Sequence, residues 1–258
     1  MMLYKNRKMK FYDFLFYKFL QRGNYQLMNK RLIFIRHGRS EGGIDYEDMS
    51  YTEFKKRLLK EVDPNLNPTF FDGYRFEKLG KIDIIFTSDS NRAKKTAEIF
   101  HENLPGNPPL DCSFEEKLKE IEFNNKSISE REFNYVGKKY NENHRRLFLK
   151  KWYDISKDNG IESYTSSIKR VSNLKNEILN LDDNYQNILI VTHGWFLRLN
   201  YLYYNNYLSI ENNGTIDRLL NAPLMKYGEF FELKPGNEIK IYKQEELFVN
   251  VPPKSFLT

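Results

Sequence analysis

Three short apolar runs, separated by long helical patterns, constrain the fold of this 258-residue chain more than any other feature. The runs occupy residues 31–36, 83–87 and 188–192, and none of them alternates apolar with polar residues. Continuous apolar strands are typical of parallel sheets, because helices cover both faces of such a sheet. The pattern therefore predicts an α/β fold, a three-layer α/β/α sandwich with a mostly parallel central sheet.

Helical patterns fill the intervals between these runs. Residues 91–100, 164–181 and 195–204 place apolar side chains at helical spacing, and the charged segment 129–152 is predicted as one long helix. Residues 42–82 are weakly patterned and predict a loop with short helices. Near the end, two apolar runs flank the turn-forming residues 234–237, which predicts an antiparallel hairpin over 229–242.

The positive charge of the chain is concentrated at its start. Residues 1–31 carry eight basic and one acidic side chain, a net of +7 against +6 for the whole chain, so the remainder is near −1. A body without a basic surface does not favour a nucleic-acid partner. We therefore expect residues 1–30 to form a basic, aromatic extension and residues 31–258 to form one domain, with a helical insertion near 124–160.

The role of this N-terminal extension has three interpretations. The first is a basic amphipathic helix that contacts a membrane or a partner. The second is an appendage packed loosely on the domain. The third is a segment that is not always translated, with Met28 as the true start. The apolar residues 11–20 are interrupted by Asp13 and Lys18 and lack a cleavage site of the secretory type. No segment is long and apolar enough to predict an integral membrane helix.

Cysteine usage indicates the compartment. Cys112 is the only cysteine, so an intrachain disulfide is impossible, and this composition is typical of a reducing compartment. We expect a cytoplasmic protein on this basis. The sequence does not indicate the oligomeric state.

Each of the three apolar runs is followed by residues that suit phosphate chemistry. Arg36 and His37 end the first run, Arg92 lies shortly after the second, and His193 directly follows the third. Because the carboxyl ends of parallel strands meet at one edge of a sheet, these side chains are expected to converge. Phosphoryl transfer needs a nucleophile in line with the leaving group and positive charge around the other oxygens.

The residue types match these two requirements. A neutral imidazole is a competent nucleophile when its second nitrogen is held as a hydrogen-bond donor, and arginine binds phosphate with two parallel hydrogen bonds. Gly38 and Gly194 each follow one of the histidines, and a residue without Cβ allows a backbone N–H to approach a phosphate closely.

With these residues in this order, the sequence resembles the histidine phosphatase superfamily, which includes phosphoglycerate mutases and fructose-bisphosphatases. The resemblance spans residues 31–235 and consists of several motifs in the family's order. These are Arg36-His37-Gly38, Ser88-Asp89-Ser90-Asn91-Arg92-Ala93 with Thr96-Ala97, Leu118-Lys119-Glu120-Ile121, Val191-Thr192-His193-Gly194, and the weaker Glu162-Ser163-Tyr164 and Leu220-Asn221-Ala222.

This resemblance implies a role for three catalytic residues. His37 would be the nucleophile that becomes phosphohistidine. His193 would donate to the phosphoryl oxygens and stabilise the transition state. Glu120 would protonate the leaving oxygen and then activate water for the second half-reaction. The resemblance implies no cofactor and no metal, and the sequence has no metal-ligand spacing.

The resemblance also implies a set of phosphate-binding residues. Arg36 and Arg92 would bind the transferring phosphoryl group, together with Gly194. Arg39 stands where the family commonly has Glu or Gln, and either adds positive charge at the phosphate or forms a surface salt bridge.

Departures from the family limit what the resemblance implies about the substrate. Gly43 stands where Asn is usual, and residues 123–127 differ from the family's stretch after the acid. The motifs that are present imply, by the resemblance, a metal-independent phosphomonoester hydrolase with a small-molecule substrate. The identity of the substrate is left open by these departures. Two alternatives stay open: a phosphotransferase or mutase that returns the phosphate to a second hydroxyl, and an inactive phosphate-binding scaffold.

Overall fold

A computed structural model describes residues 29–41, 49–58, 65–121, 129–139, 141–154, 162–205, 218–219, 221–223, 225–236 and 238–249. Within these residues the chain forms a single six-stranded sheet with helices on both faces. The strands are β1 (Arg31–Arg36), β2 (Ile84–Thr87), β3 (Leu110–Asp111), β4 (Asn187–Thr192), β5 (Phe230–Leu233) and β6 (Ile239–Tyr242).

The sheet is mostly parallel, as the apolar runs predict. Its strand order is β3-β2-β4-β1-β5-β6, and the four strands from β3 to β1 in that order pair in parallel. The last two strands are antiparallel, and they form the hairpin predicted from the turn at 234–237. In register, Arg36 lies opposite Thr192, and Thr87 lies opposite Val191. The carboxyl ends of β1, β2 and β4 therefore meet at one edge.

The helices of the described residues pack on both faces of this sheet. They are α1 (Tyr51–Leu58), α2 (Asn91–Asn103), α3 (Glu115–Leu118), α4 (Glu130–Val136), α5 (Glu142–Asp154), α6 (Tyr164–Leu179), α7 (Gly194–Tyr204) and α8 (Gln244–Leu247), with a 3-10 helix at Phe76–Leu79. Alternate side chains of β1 explain the division, because successive strand residues point to opposite faces. Leu32 and Phe34 pack with α6 and α7, whereas Ile33 and Ile35 pack with α2.

The single helix predicted over 129–152 is wrong. The segment forms two helices, α4 and α5, because α4 ends at Gly137. The Nε2 atom of His144, on α5, lies 2.9 Å from the carbonyl oxygen of Phe133 and 3.1 Å from that of Gly137. The buried imidazole of His144 thus holds the last turn of α4 against α5, which a continuous helix would not allow.

Parts of the expected domain organisation lie outside the described residues. Residues 1–28 are among these, so the N-terminal extension stays a prediction. Helices α4 and α5 lie within the predicted insertion, whose flanks at 122–128 and 155–161 are also outside the described residues. In the part of the chain that the structure describes, none of the helices is long and apolar enough to cross a membrane.

Phe34 is expected to be one of the residues on which stability depends most. Its side chain is fully buried, stacks on Phe231 with ring centroids 4.9 Å apart, and contacts Tyr204 at 5.6 Å. Phe34→Ala should lower the free energy of unfolding by about 3–5 kcal/mol, measured by chemical denaturation. Leu110→Ala, at an exposed strand position, serves as the control and should change it by less than about 1 kcal/mol.

Candidate active site

The edge at which β1, β2 and β4 end carries the two histidines that the sequence singles out, together with a serine. His37 directly follows β1, Ser88 follows β2, and His193 follows β4. The sheet hydrogen bonding continues one residue beyond the strands, since His37 N donates to Thr192 O at 3.0 Å and Ser88 N donates to Val191 O at 3.1 Å. All three side chains are buried, and the two imidazole centroids lie 5.0 Å apart. The predicted convergence of the two histidines is thus present.

The hydrogen bonds of His37 define its tautomer. The Nδ1 atom lies 2.7 Å from the carbonyl oxygen of Gly38, which can only accept, so Nδ1 carries the proton. On the other side of the ring, the Nε atom of Arg92 donates to Nε2 at 3.0 Å. The lone pair of a neutral His37 is therefore on Nε2, and it points at the guanidinium group of Arg92.

The surroundings of His37 favour this neutral form. Burial is the largest cause, and it holds the pKa of His37 well below its ordinary value of 6.5. The positive charge of Arg92, the neighbouring His193 and the charge of Arg36 lower the pKa further, against a smaller opposing contribution from the Gly38 carbonyl. A nucleophilic imidazole must be unprotonated, so each of these causes keeps His37 competent at neutral pH.

His193 is oriented by a hydroxyl that the sequence analysis did not single out as a site residue. Its Nε2 atom lies 2.7 Å from Ser88 Oγ. Ser88 Oγ in turn donates to Asp89 Oδ1 at 3.2 Å, so its lone pairs accept the Nε2 proton of His193. The serine and the aspartate thus fix the orientation of His193, whose ring lies edge-on to that of His37.

Arg36 is held between an aromatic ring and a glycine. Its guanidinium carbon lies 3.8 Å from the ring centroid of Tyr227, and Nη1 donates to Met225 O at 2.9 Å. A Cβ atom at Gly194 would lie only 3.3 Å from Arg36 Nε, so this glycine allows the guanidinium to reach the start of α7. This contact is a second reason for glycine after His193, and the predicted approach of a phosphate to Gly194 stays a prediction.

Tyr227 is a second residue that the sequence analysis missed. It lies 5.7 Å from His37 between ring centroids, in the turn before β5. Two contacts hold this turn: Gln244 Nε2 donates to Tyr227 O at 2.9 Å, and Gly228 N donates to Arg36 O at 3.1 Å. An aromatic residue just before a hairpin gives no sequence signal of its own for this role.

Gly38 is packed closely against neighbouring side chains. Its N–H donates to Thr96 Oγ1 at 3.0 Å, so this donor is already used within the protein. An added Cβ would lie within 2.6–2.9 Å of side-chain atoms of Leu66, Phe70 and Phe71. The glycine is needed because Leu66 and two phenylalanines press against the turn. That a glycine here lets a backbone N–H approach a phosphate stays a prediction.

Glu120 reaches the same edge of the sheet through the N-terminus of α7. Its Oε1 atom accepts from Phe196 N at 3.1 Å and from Ile121 N at 2.9 Å, and Oε2 lies 3.4 Å from Trp195 N. Burial raises the pKa of Glu120 above its ordinary value of 4.5, whereas the three backbone N–H groups and Arg36 oppose the shift. The partly buried carboxyl is thus kept beside Arg36 with a pKa above its ordinary value.

Arg39 is the site candidate with the least structural support. It lies two residues after His37 with a partly exposed side chain, and its backbone carbonyl accepts from Asn67 N at 2.8 Å. Its assignment to phosphate binding stays a prediction. Among the residues that the structure describes, no group of three or more His, Cys, Asp or Glu side chains could hold a metal ion.

The arrangement has the parts needed to attack a phosphoryl group. It presents an unprotonated imidazole nitrogen, two guanidinium groups and a second imidazole at one sheet edge, with a carboxyl of raised pKa close by. Positive charge around a buried nucleophile stabilises the oxygens of a transferring phosphoryl group.

The chain is similar to a known protein family. A model of the histidine phosphatase superfamily (branch 1) matches residues 32–213. Among solved structures, YhfR of Bacillus stearothermophilus is 18% identical, with a TM-score of 0.55 over 84% of this chain and 97% of that one. No curated protein matches the chain significantly.

Two further solved structures share the fold. A mycobacterial glucosyl-3-phosphoglycerate phosphatase is 17% identical, with a TM-score of 0.53 over 83% of this chain and 97% of that one. A phosphoserine phosphatase variant from Entamoeba histolytica, in complex with phosphoserine, is 16% identical, with a TM-score of 0.51 over 85% and 97% of the two chains.

Proposed function

Because the chain belongs to the histidine phosphatase superfamily, branch 1, we propose that it hydrolyses small phosphomonoesters through a phosphohistidine on His37. The observation that carries this proposal is the protonation pattern of His37. Its Nδ1 proton is held by the Gly38 carbonyl, so that the lone pair lies on the buried Nε2 atom beside Arg92. An imidazole in this tautomer needs no general base to become a nucleophile.

The first half-reaction would transfer the phosphoryl group to His37. The Nε2 lone pair forms the P–N bond while the ester P–O bond breaks, and the electron pair of that bond leaves with the ester oxygen. Glu120 gives this oxygen its proton, which the raised pKa of the carboxyl favours. Arg36 and Arg92 would bind the remaining oxygens, whose charge they offset. His193 would donate to one of these oxygens once its Nε2 proton leaves Ser88 Oγ.

The second half-reaction would return the enzyme to its starting state. A water molecule attacks the phosphorus, Glu120 takes one of its protons, and the P–N bond breaks to leave inorganic phosphate and a neutral His37. The same carboxyl thus acts first as acid and then as base, so the proton balance closes over one cycle. No metal ion enters either step of the proposal.

Arg92 would have two successive partners in this cycle. With the site empty, its Nε donates to the lone pair of His37 that must attack. A phosphate dianion is a stronger acceptor for a guanidinium than a neutral imidazole nitrogen, because the hydrogen bond is then charge-assisted on both sides. Substrate binding would therefore draw Arg92 from the nucleophile to the phosphoryl oxygens and free the lone pair.

The names of the structural neighbours support a small substrate. One is a glucosyl-3-phosphoglycerate phosphatase and another is a phosphoserine phosphatase in complex with phosphoserine, so both names refer to phosphorylated metabolites. We extend only this class, small phosphomonoesters, to the present chain. A cytoplasmic location is part of the proposal, supported by the single cysteine in the sequence.

The test is hydrolysis under chelating conditions together with trapping of the intermediate. The purified protein would be given para-nitrophenyl phosphate, phosphoserine, 3-phosphoglycerate and sugar phosphates with a metal chelator present, and free phosphate would be measured. We expect chelator-resistant release of phosphate, and rapid quenching at alkaline pH should leave a phosphate on the peptide that contains His37.

Other results would contradict the proposal in distinct ways. Phosphate release that requires an added metal ion would exclude this mechanism. Transfer of the phosphate to a second hydroxyl instead of water would indicate a phosphotransferase or mutase. Binding of phosphate or vanadate without any turnover over the whole panel would indicate an inactive scaffold.

A further inference from the structure

A buried ion pair lies behind Glu120 and takes no part in the mechanism described above. Arg170 on α6 pairs with Glu162 through two parallel hydrogen bonds, Nε to Oε1 at 2.8 Å and Nη2 to Oε2 at 2.7 Å. The two side chains are only 15% and 14% exposed. A bidentate pair of this kind fixes the plane of the guanidinium group as well as its position.

The third nitrogen of this guanidinium holds the backbone that leads to Glu120. Arg170 Nη1 donates to Lys119 O at 2.6 Å and to Lys117 O at 3.1 Å. Lys119 directly precedes Glu120, and it ends the short helix α3. The guanidinium therefore anchors the turn from which the Glu120 side chain extends.

The flat face of the same guanidinium packs on the ring of Phe196, a residue whose backbone binds the Glu120 carboxylate. Its central carbon lies 4.3 Å from the ring centroid of Phe196, and the backbone N–H of Phe196 donates to Glu120 Oε1 at 3.1 Å. Arg170 thus touches both the residue before Glu120 and a residue that binds its carboxylate. Arginine suits this place because its planar fork can donate to carbonyls, pair with a carboxylate and stack on a ring at once.

Glu162 is itself tied to the region of the predicted insertion. Trp152 Nε1, on α5, donates to the backbone oxygen of Glu162 at 2.8 Å, and the Trp152 ring packs edge-on against Tyr164 at 5.6 Å. The residue that orients Arg170 is thus fixed at two points, at its carboxylate by the guanidinium and at its backbone by the indole.

We propose that Arg170, oriented by Glu162, is a positioning residue that sets the Glu120 carboxyl for proton transfer to the leaving oxygen. The inference rests on the proposed function, because it assigns to Glu120 the role of general acid. Arg170 does not touch the substrate. Its effect passes through the Lys119 backbone and the Phe196 ring, and a displacement of a catalytic group by about 1 Å can cost on the order of 100-fold in rate.

The test compares substrates that differ in their need for an acid. An alkyl phosphomonoester has a basic leaving oxygen that must be protonated, whereas 2,4-dinitrophenyl phosphate releases a stable anion without help. Arg170→Lys keeps the positive charge but loses the planar guanidinium, which makes the four hydrogen bonds to Glu162, Lys117 and Lys119. We expect kcat/KM for the alkyl ester to fall by about 10–100-fold, and kcat/KM for the dinitrophenyl ester by less than about threefold.

A matched control exists at the far end of β1. Arg31 pairs with the buried carboxylate of Glu232 and donates to Leu79 O at 2.7 Å, so it combines the same kinds of contact as Arg170. It begins the strand that His37 follows, five residues away from Arg36. Arg31→Lys should leave the ratio of the two kcat/KM values unchanged, because it lies far from Glu120.

A second readout is independent of turnover. Trp195 and Phe196 are the second and third residues of α7, so their N–H groups have no partner within the helix. Their protection from hydrogen exchange comes from the Glu120 carboxylate. In Arg170→Lys these two amides should exchange faster while Leu199, in the middle of α7, keeps its rate. Glu162→Gln should produce the same pattern, and it replaces the first variant if that one does not fold.

The outcomes separate the two proposals. Equal losses with both esters, or no loss with either, would overturn the positioning role, and so would unchanged exchange at Trp195 and Phe196. If the parent protein hydrolyses neither ester, the proposed function fails. The exchange measurement alone then decides whether Arg170 holds the Glu120 carboxyl.

Discussion

His37→Ala is expected to reduce kcat/KM for every phosphomonoester by more than about 1,000-fold, since it removes the atom that would form the P–N bond. The variant should also fail to retain phosphate on the peptide around residue 37 after rapid quenching. Initial rates of phosphate release, with chelator present, measure the effect. Activity within tenfold of the parent would show that the nucleophile lies elsewhere.

The same variant should retain its ability to bind an anion. Arg36, Arg92 and His193 remain, and loss of the imidazole releases the Arg92 Nε donor from its bond to Nε2. Vanadate or inorganic phosphate should therefore still bind, which titration calorimetry would measure. Loss of both binding and activity would indicate a misfolded site instead of a missing nucleophile, and circular dichroism would distinguish the two.

His101→Gln is the matched control for this experiment. His101 lies on α2, and its Nδ1 atom is 2.9 Å from the carbonyl oxygen of Pro108, a contact that resembles that of His37 with Gly38. Its ring lies outside the cluster at the strand ends. We expect unchanged kcat/KM in this variant, so that a loss in His37→Ala reflects position in the site and not merely removal of a histidine bonded to a carbonyl.

The sequence predicts the sheet well because the physical signal is local. Continuous apolar runs mark β1, β2 and β4, and a Pro-Gly turn marks the β5–β6 hairpin. The two-residue strand β3 is too short to form a pattern. The end of α4 at Gly137 is not predicted either, because the charged residues 129–152 have a helical pattern on both sides of it. Only the contact of His144 with the end of α4 shows that the chain folds back there.

Some residues of the site are predictable from local sequence patterns, whereas others are placed only by tertiary contacts. His37 and His193 are predictable because each directly follows a strand, and their convergence depends only on parallel pairing. The contact of Tyr227 with Arg36 depends on an antiparallel strand that joins the sheet nearly 200 residues later in the sequence, and no local pattern encodes it. The bonds of Glu120 to the start of α7 have the same non-local origin.

The two shifted pKa values determine how the activity should depend on pH. His37 must be neutral to attack, so activity is lost as pH falls through its pKa, which burial and the charges of Arg92, His193 and Arg36 hold well below 6.5. Glu120 must be protonated to donate, so activity is lost as pH rises through its pKa, which burial raises above 4.5. We expect a bell-shaped profile of kcat/KM for an alkyl phosphomonoester, with its maximum on the acidic side of neutrality.

Glu120→Gln is expected to remove the basic limb of this profile and to lower kcat/KM for the alkyl ester by about 100–10,000-fold. The acid limb, which reports His37, should remain, and 2,4-dinitrophenyl phosphate should be hydrolysed with a loss of less than about tenfold. The matched control is Glu116→Gln, an exposed carboxylate in the same short helix region that pairs with Lys119 at 2.6 Å. A basic limb that persists in Glu120→Gln, or disappears in Glu116→Gln, would assign the acid to another residue.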